Sequence, residues 1–115
     1  MNIMNLAPRP QKDLEDLLGH FNVNVAMSHK VTKYLAPFPA SRKEAIRQEF
    51  ELKLKENRLG AAEFYSATAC STHEEEARQF FRDVYAYAFE GGEEPDVGDY
   101  LSREYHAATV NRRNP

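Results

Sequence analysis

Just behind two prolines, Pro37 and Pro39, the chain reads Ser41-Arg42-Lys43-Glu44. That spacing is a capping box: the Ser hydroxyl accepts from the backbone three residues on, and the Glu side chain reaches back. Proline lacks the amide that continues a helix and holds its predecessor extended, so the two prolines end whatever precedes them. A helix is predicted over residues 41–58, with Gly60 placed as its C-terminal cap. Two more boxes overlap at Ser71-Thr72-His73-Glu74-Glu75. They predict a second long helix over 73–90, stopped by Gly91-Gly92. These starts commit most of the chain's second half to helix.

Apolar spacing extends the same reading. Leu14, Leu17, Leu18, Phe21 and Val25 recur at three- and four-residue steps from Gln11 onward. Asp13, Glu15 and Asp16 suit the positive end of that helix. Gly19 and the alternation Phe21-Asn22-Val23-Asn24-Val25 leave two readings: one helix to about Leu35, or two helices broken near residues 22–24. The alanine-rich stretch 61–69 reads as helix burying Phe64, Tyr65 and Ala69. In 73–90 the stripe is Ala77, Phe80, Phe81, Val84 and Ala88, flanked by Tyr85, Tyr87 and Phe89. Asp96 is placed to cap a last helix over 97–108 that buries Leu101, Tyr105 and Ala108.

The helix over 41–58 carries two stripes, Ile46-Phe50-Leu54 and Ala45-Leu52-Leu59, which predicts a helix sandwiched between neighbours. A strand competes, because residues 50–55 alternate strictly. Glu, Lys, Leu, Gln and Arg favour helix over strand, and Glu49–Lys53 and Glu51–Lys55 are four-residue pairs. The expected fold is all-α: one compact domain over 1–115, a bundle of four to six helices with short flexible ends at 1–10 and 110–115. The runner-up is α+β with a hairpin at 49–69.

Charge divides unevenly. Residues 29–58 carry eight basic side chains against four acidic ones, and residues 59–101 carry ten acids against Arg78 and Arg82. The net charge of −3 argues against non-specific nucleic-acid binding by the whole molecule. Cys70 is the single cysteine, so no internal disulfide forms and a reducing compartment is allowed. No apolar run approaches the ~20 residues that span a bilayer. Residues 1–9 lack the apolar stretch of a signal peptide, and a cytoplasmic location is expected.

Chemistry-bearing patterns are sparse. Asp16 and His20 stand four apart, and Cys70-Ser-Thr-His73 has ligand spacing, yet neither has a matching second pair, so no metal and no cofactor are expected. Cys70 with His73 resembles a nucleophilic dyad in sequence only. No phosphate loop or nucleophile elbow is present, and an enzyme is not expected.

Binding is the expectation that remains. Seven phenylalanines and six tyrosines exceed what so short a chain is expected to bury. Arg82, Tyr85, Tyr87, Glu93 and Glu94 are the candidate protein-binding residues: aromatic and arginine anchors beside an acidic rim. They suit a basic protein partner, or a second copy in a homodimer. A small domain without catalytic signature has the size and style of inhibitors and adaptors, including phage- or plasmid-type inhibitors of host nucleic-acid machinery such as anti-CRISPR proteins. The alternative is a helical nucleic-acid-binding regulator that uses Lys30, Lys33, Arg42, Lys43 and Arg47, with Tyr34 and Phe38 interleaved to stack a base.

Overall fold

Pro39 opens the central helix of the molecule. Its φ of −65° and extended ψ of 158° place its carbonyl to accept from the amides of Arg42 (3.0 Å) and Lys43 (3.1 Å). The helix therefore starts at Ala40, and Ser41 lies inside it, exposed and making no cap. Glu44 does not reach back; its carboxylate takes Arg47 and Gln48 instead. The expected box at Ser41 does not form, because the helix starts earlier, with Pro39 in the N-cap position.

The computed structural model describes residues 9–24 and 30–101. Its elements are α1 (Pro10–Gly19), α2 (Lys30–Leu35), α3 (Ala40–Lys55), α4 (Ala61–Thr68), α5 (Glu74–Phe89) and a 3₁₀ turn (Val97–Tyr100). No strand occurs among the described residues, so the fold is all-α and the hairpin at 49–69 is absent. Propensity outweighed alternation there. Lys53 lies 3.6 Å from Glu49 across one helical turn, a pairing that a strand would not make.

α1 ends at Gly19, earlier than residues 22–24, and α2 is a separate helix; residues 25–29 lie outside the described residues. The end of α3 is a Schellman motif: Arg58 N–H donates to the Lys53 carbonyl (2.9 Å) and Asn57 N–H to the Leu54 carbonyl (3.2 Å). Asn57 supplies the left-handed residue (φ 56°) that was expected of Gly60. Gly60 instead opens α4, its amide donating to Glu63 at 2.8 Å. The overlapping boxes before α5 also fail to form. His73 is its N-cap residue without a side-chain cap bond, and the Thr72 hydroxyl donates to the Tyr100 carbonyl at 2.6 Å. α5 ends at Phe89, and Gly91 turns the chain with φ 76°. Asp96 caps as expected, accepting from Gly98 N–H at 3.0 Å, but the element it caps ends at Tyr100. Residues 102–115, including Tyr105, Ala108 and the predicted tail, lie outside the described residues, as do residues 1–8.

The core is the predicted stripe of α5 closed over by the other helices. Ala77, Phe80, Phe81 and Val84 are fully buried, against Leu14 and Leu17 of α1, Ile46 and Phe50 of α3 and Phe64 of α4. Phe80 is the hub. It meets Phe21, Phe64, Phe81 and Tyr100 edge to face, with centroids 5.0–5.4 Å apart. α3 packs against α1 and α5. Its second stripe is split: Leu52 is 46% exposed, Ala45 is half-buried, and Leu59, beyond the helix end, is buried in the core. Tyr65, 59% exposed, and Ala69, exposed and left-handed (φ 65°), are likewise not core. Of the described aromatics, Phe21, Phe50, Phe64, Phe80 and Phe81 are buried, and all the others except Tyr65 are half-buried against that core.

Candidate functional site

Beyond α5 the chain folds back along the helix. Gly91 reverses it, and Gly92 N–H donates to the Ala86 carbonyl at 2.9 Å. A β-carbon at Gly92 would stand 3.2 Å from Ala86, so the close approach suits glycine. The 3₁₀ turn then brings Tyr100 against α5. Its ring packs on Phe80 and its hydroxyl donates to Asp83 at 2.6 Å. Burial, and then the Asp83 carboxylate, push the Tyr100 phenol above its ordinary range, so it remains a donor.

Between the helix and this returning strip lies a cleft of about 390 Å³. Asp83, Glu93, Glu94, Asp96 and Asp99 line it beside Tyr100, and among the described residues no Lys or Arg does. Two of the expected site residues, Glu93 and Glu94, thus share a site with three further carboxylates. Asp83 and Tyr100 were not singled out in the sequence. The available signal was the Asp96 cap, which starts the turn that carries Tyr100 back.

The other expected protein-binding residues lie elsewhere. Tyr85 faces α3, where its hydroxyl accepts from Arg47 and donates to Glu51, both at 2.9 Å. Its ring meets Phe50 edge to face at 5.4 Å, and burial raises its phenol. It is a cross-brace between helices. Arg82 is exposed and donates to Gln79 at 3.1 Å. Tyr87 is half-buried against the core, and its hydroxyl is buried without a hydrogen-bond partner among the described residues.

The basic region is built differently. Arg42 donates twice to the buried Asp13, Nε to Oδ2 at 3.0 Å and Nη2 to Oδ1 at 2.9 Å. The same guanidinium lies 3.8 Å over the Phe38 ring. Tyr34 meets Phe38 edge to face and donates to the Asp13 carbonyl at 3.3 Å. Burial first, then the charges of Asp13 and Asp16, push the Tyr34 phenol up to about 12. Tyr34 and Phe38, expected to stack a base, are thus engaged with each other. Arg47 is paired within its own helix to Glu44 and Glu51. The Arg47 hydrogen bond, then that of Gln48, holds the Glu44 carboxyl at about 2. Lys33 is exposed and Lys43 half-buried, each without an ion-pair partner among the described residues. Lys30 opens α2, and its side chain lies outside the described residues.

Asp16 holds Lys12 at 3.2 Å, and His20 Nδ1 lies 3.2 Å from the Leu17 carbonyl. Among the described residues no three His, Cys, Asp or Glu are grouped to hold a metal ion. No helix among them is long and apolar enough to cross a membrane. Comparison with protein-family models, with curated proteins and with solved structures finds no match.

Proposed function

We propose that this chain is a small, non-enzymatic protein-binding module, and that the acidic cleft beside α5 receives a basic segment of a protein partner. One observation carries the reading: five carboxylates line a single cleft, and among the described residues no Lys or Arg lines it with them. Such a cleft focuses negative potential, which speeds the approach of a cationic surface and orients it. Tyr100, held by Asp83 and Phe80, adds a rigid aromatic wall of the kind interfaces favour. Proteins that handle nucleic acid offer basic surfaces, so an inhibitor or adaptor of such machinery, including one of phage or plasmid type, fits this chemistry. The single cysteine suits a reducing, cytoplasmic setting.

The test is charge reversal, Glu93→Lys with Glu94→Lys, followed by fluorescence anisotropy with a Lys/Arg-rich peptide at physiological salt. Saturable binding is expected, weakened at least about tenfold in the variant, mainly through slower association. Equal affinity for both proteins would remove the cleft from the reading. The same assay with duplex DNA and single-stranded RNA addresses the alternative. Retention at physiological salt, lost in Lys33→Glu with Lys43→Glu, would favour a nucleic-acid-binding regulator instead. Mass that rises with concentration and falls in the Glu93/Glu94 variant would make the partner a second copy.

A further inference from the structure

A second concavity, of about 360 Å³, lies between α1, the end of α3 and α4, and shares no residue with the acidic cleft. Its floor is apolar, formed by Leu14, Leu18, Leu59 and Ala67 of the core. Its rim holds two charges of each sign: Lys53 and Arg58, Glu15 and Glu63. Two of the four are occupied. Lys53 lies 3.6 Å from Glu49, and Glu63 accepts from Gly60 N–H at 2.8 Å. Glu15, exposed on α1, has no ion-pair or hydrogen-bond partner among the described residues. Arg58 makes one contact, Nη1 to Glu56 at 3.3 Å, and the rest of its donor fork is unused. One available anion and one available cation thus stand on different walls above an apolar floor.

We propose that this groove binds a small zwitterion with an apolar body, the chemistry of an apolar amino acid or short peptide, with its ammonium at Glu15 and its carboxylate at Arg58. Concave sites of a few hundred Å³ with apolar linings and a few convergent polar groups are the usual form of a small-ligand site. A guanidinium fork matches a carboxylate in two-point geometry. A ligand of a single charge would meet a like charge on the facing wall. A ligand without charge would leave both groups unanswered.

Gly19 provides the test. It lines the groove, and a β-carbon there would meet nothing within 4 Å. Gly19→Phe therefore plugs the groove without crowding the helix, where any residue but proline is favoured over glycine. The full chain is titrated with Leu-Leu dipeptide and with free leucine, and amide chemical shifts are followed. N-acetyl-Leu-Leu and Leu-Leu amide, each lacking one charge, serve as comparisons. Saturable shifts around Leu14, Leu18 and Ala67 are expected, at least about tenfold weaker binding when either charge is removed, and none in Gly19→Phe. The relative response to dipeptide and to leucine identifies which of the two sources fits. Glu15→Gln should weaken Leu-Leu but not its N-acetyl form. Glu15 and Arg58 are exposed, so Glu15→Gln and Arg58→Gln keep the test decisive if the plug perturbs folding. No saturable shift at millimolar ligand, shifts that survive the plug, or equal affinity for the charged and end-blocked peptides would overturn the proposal.

Discussion

Where α1, α2 and α3 meet, opposite charges are paired; beside α5, like charges are gathered along one cleft. Both regions look strongly charged along the chain, and they fold to opposite outcomes. At the corner, Arg42 is matched to Asp13, which comes from outside the basic stretch, and Arg47 is matched to two glutamates of its own helix. At the cleft, the acidic half has Arg78 and Arg82 to offer. Arg78 pairs with Glu74 at 3.2 Å, Arg82 bonds Gln79, and neither lines the cleft. Charge density in a sequence is thus a poor guide to charge on a surface. What matters is whether a partner arrives through helical spacing or through packing. The doubly bonded pair Asp13–Arg42, its carboxylate buried and its guanidinium 41% exposed, ties α1 to α3. At the cleft, Asp83 and Asp96 are engaged by the Tyr100 hydroxyl and by Gly98 N–H, while Glu93 is exposed.

The largest test of this contrast removes what the two regions share. Phe80 touches Phe21 at the end of α1 and Tyr100 at the wall of the cleft. Phe80→Ala should cost about 3–5 kcal/mol in denaturant unfolding, through lost burial plus a cavity. A cost near zero would mean that the two regions are not built on one core. Next is Asp13→Ala, which removes the buried acceptor of Arg42 and leaves that part-exposed guanidinium to solvent. We expect a loss of stability smaller than that of Phe80→Ala, because solvent screens the guanidinium. If it proves neutral, the corner is no more locked than the cleft, and the contrast fails.

At the cleft, Glu93→Gln with Glu94→Gln should change stability by no more than about 0.5 kcal/mol, or raise it slightly by relieving repulsion. A large loss there would reveal a structural role for these carboxylates. Ser41→Ala belongs with the small effects as well. The capping-box spacing implies a cost of about 0.5–2 kcal/mol, but without a cap bond the change should stay within about 0.5 kcal/mol. The pH responses sharpen the corner and its neighbouring helix. Glu44 is held at about 2 against an ordinary 4.5, so its contribution is full above pH 4.5 and disappears as pH falls toward 2. Tyr34 is raised from 10 to about 12, so its contribution is full below pH 10 and is lost as pH rises toward 12. Carboxyl chemical shifts and tyrosinate absorbance check the two. Arg47→Met should raise Glu44 toward the ordinary carboxylate range, with the Gln48 hydrogen bond still lowering it.

Some of the molecule is written locally. The α5 stripe of Ala77, Phe80, Phe81 and Val84 is buried as its spacing demands, and that helix stops at the Gly91-Gly92 pair. The Pro39 break, the Asp96 cap and the helical character of 61–69 are equally local. The cap residues themselves were misjudged at Ser41, Gly60 and Ser71-Thr72. At Ser41 the helix starts two residues earlier, at Gly60 the left-handed cap position is taken by Asn57, and the Thr72 hydroxyl is bonded to the Tyr100 carbonyl. Glu93 and Glu94 were legible as an acidic loop, whereas their company with Asp83 and Tyr100 was not.

The sequence by itself determined an all-helical chain, the spans of its longer helices and the face of α5 that turns inward. These depend on contacts three or four residues apart, which neighbouring side chains encode directly. Only the tertiary structure decided that Leu52 and Tyr65 stay wet, that Tyr85 braces α3, and which charges are cancelled. Asp13 and Arg42 are 29 positions apart, and Arg47 and Tyr85 are 38. Pairings at that range depend on how whole helices pack against one core, and no local pattern carries that information.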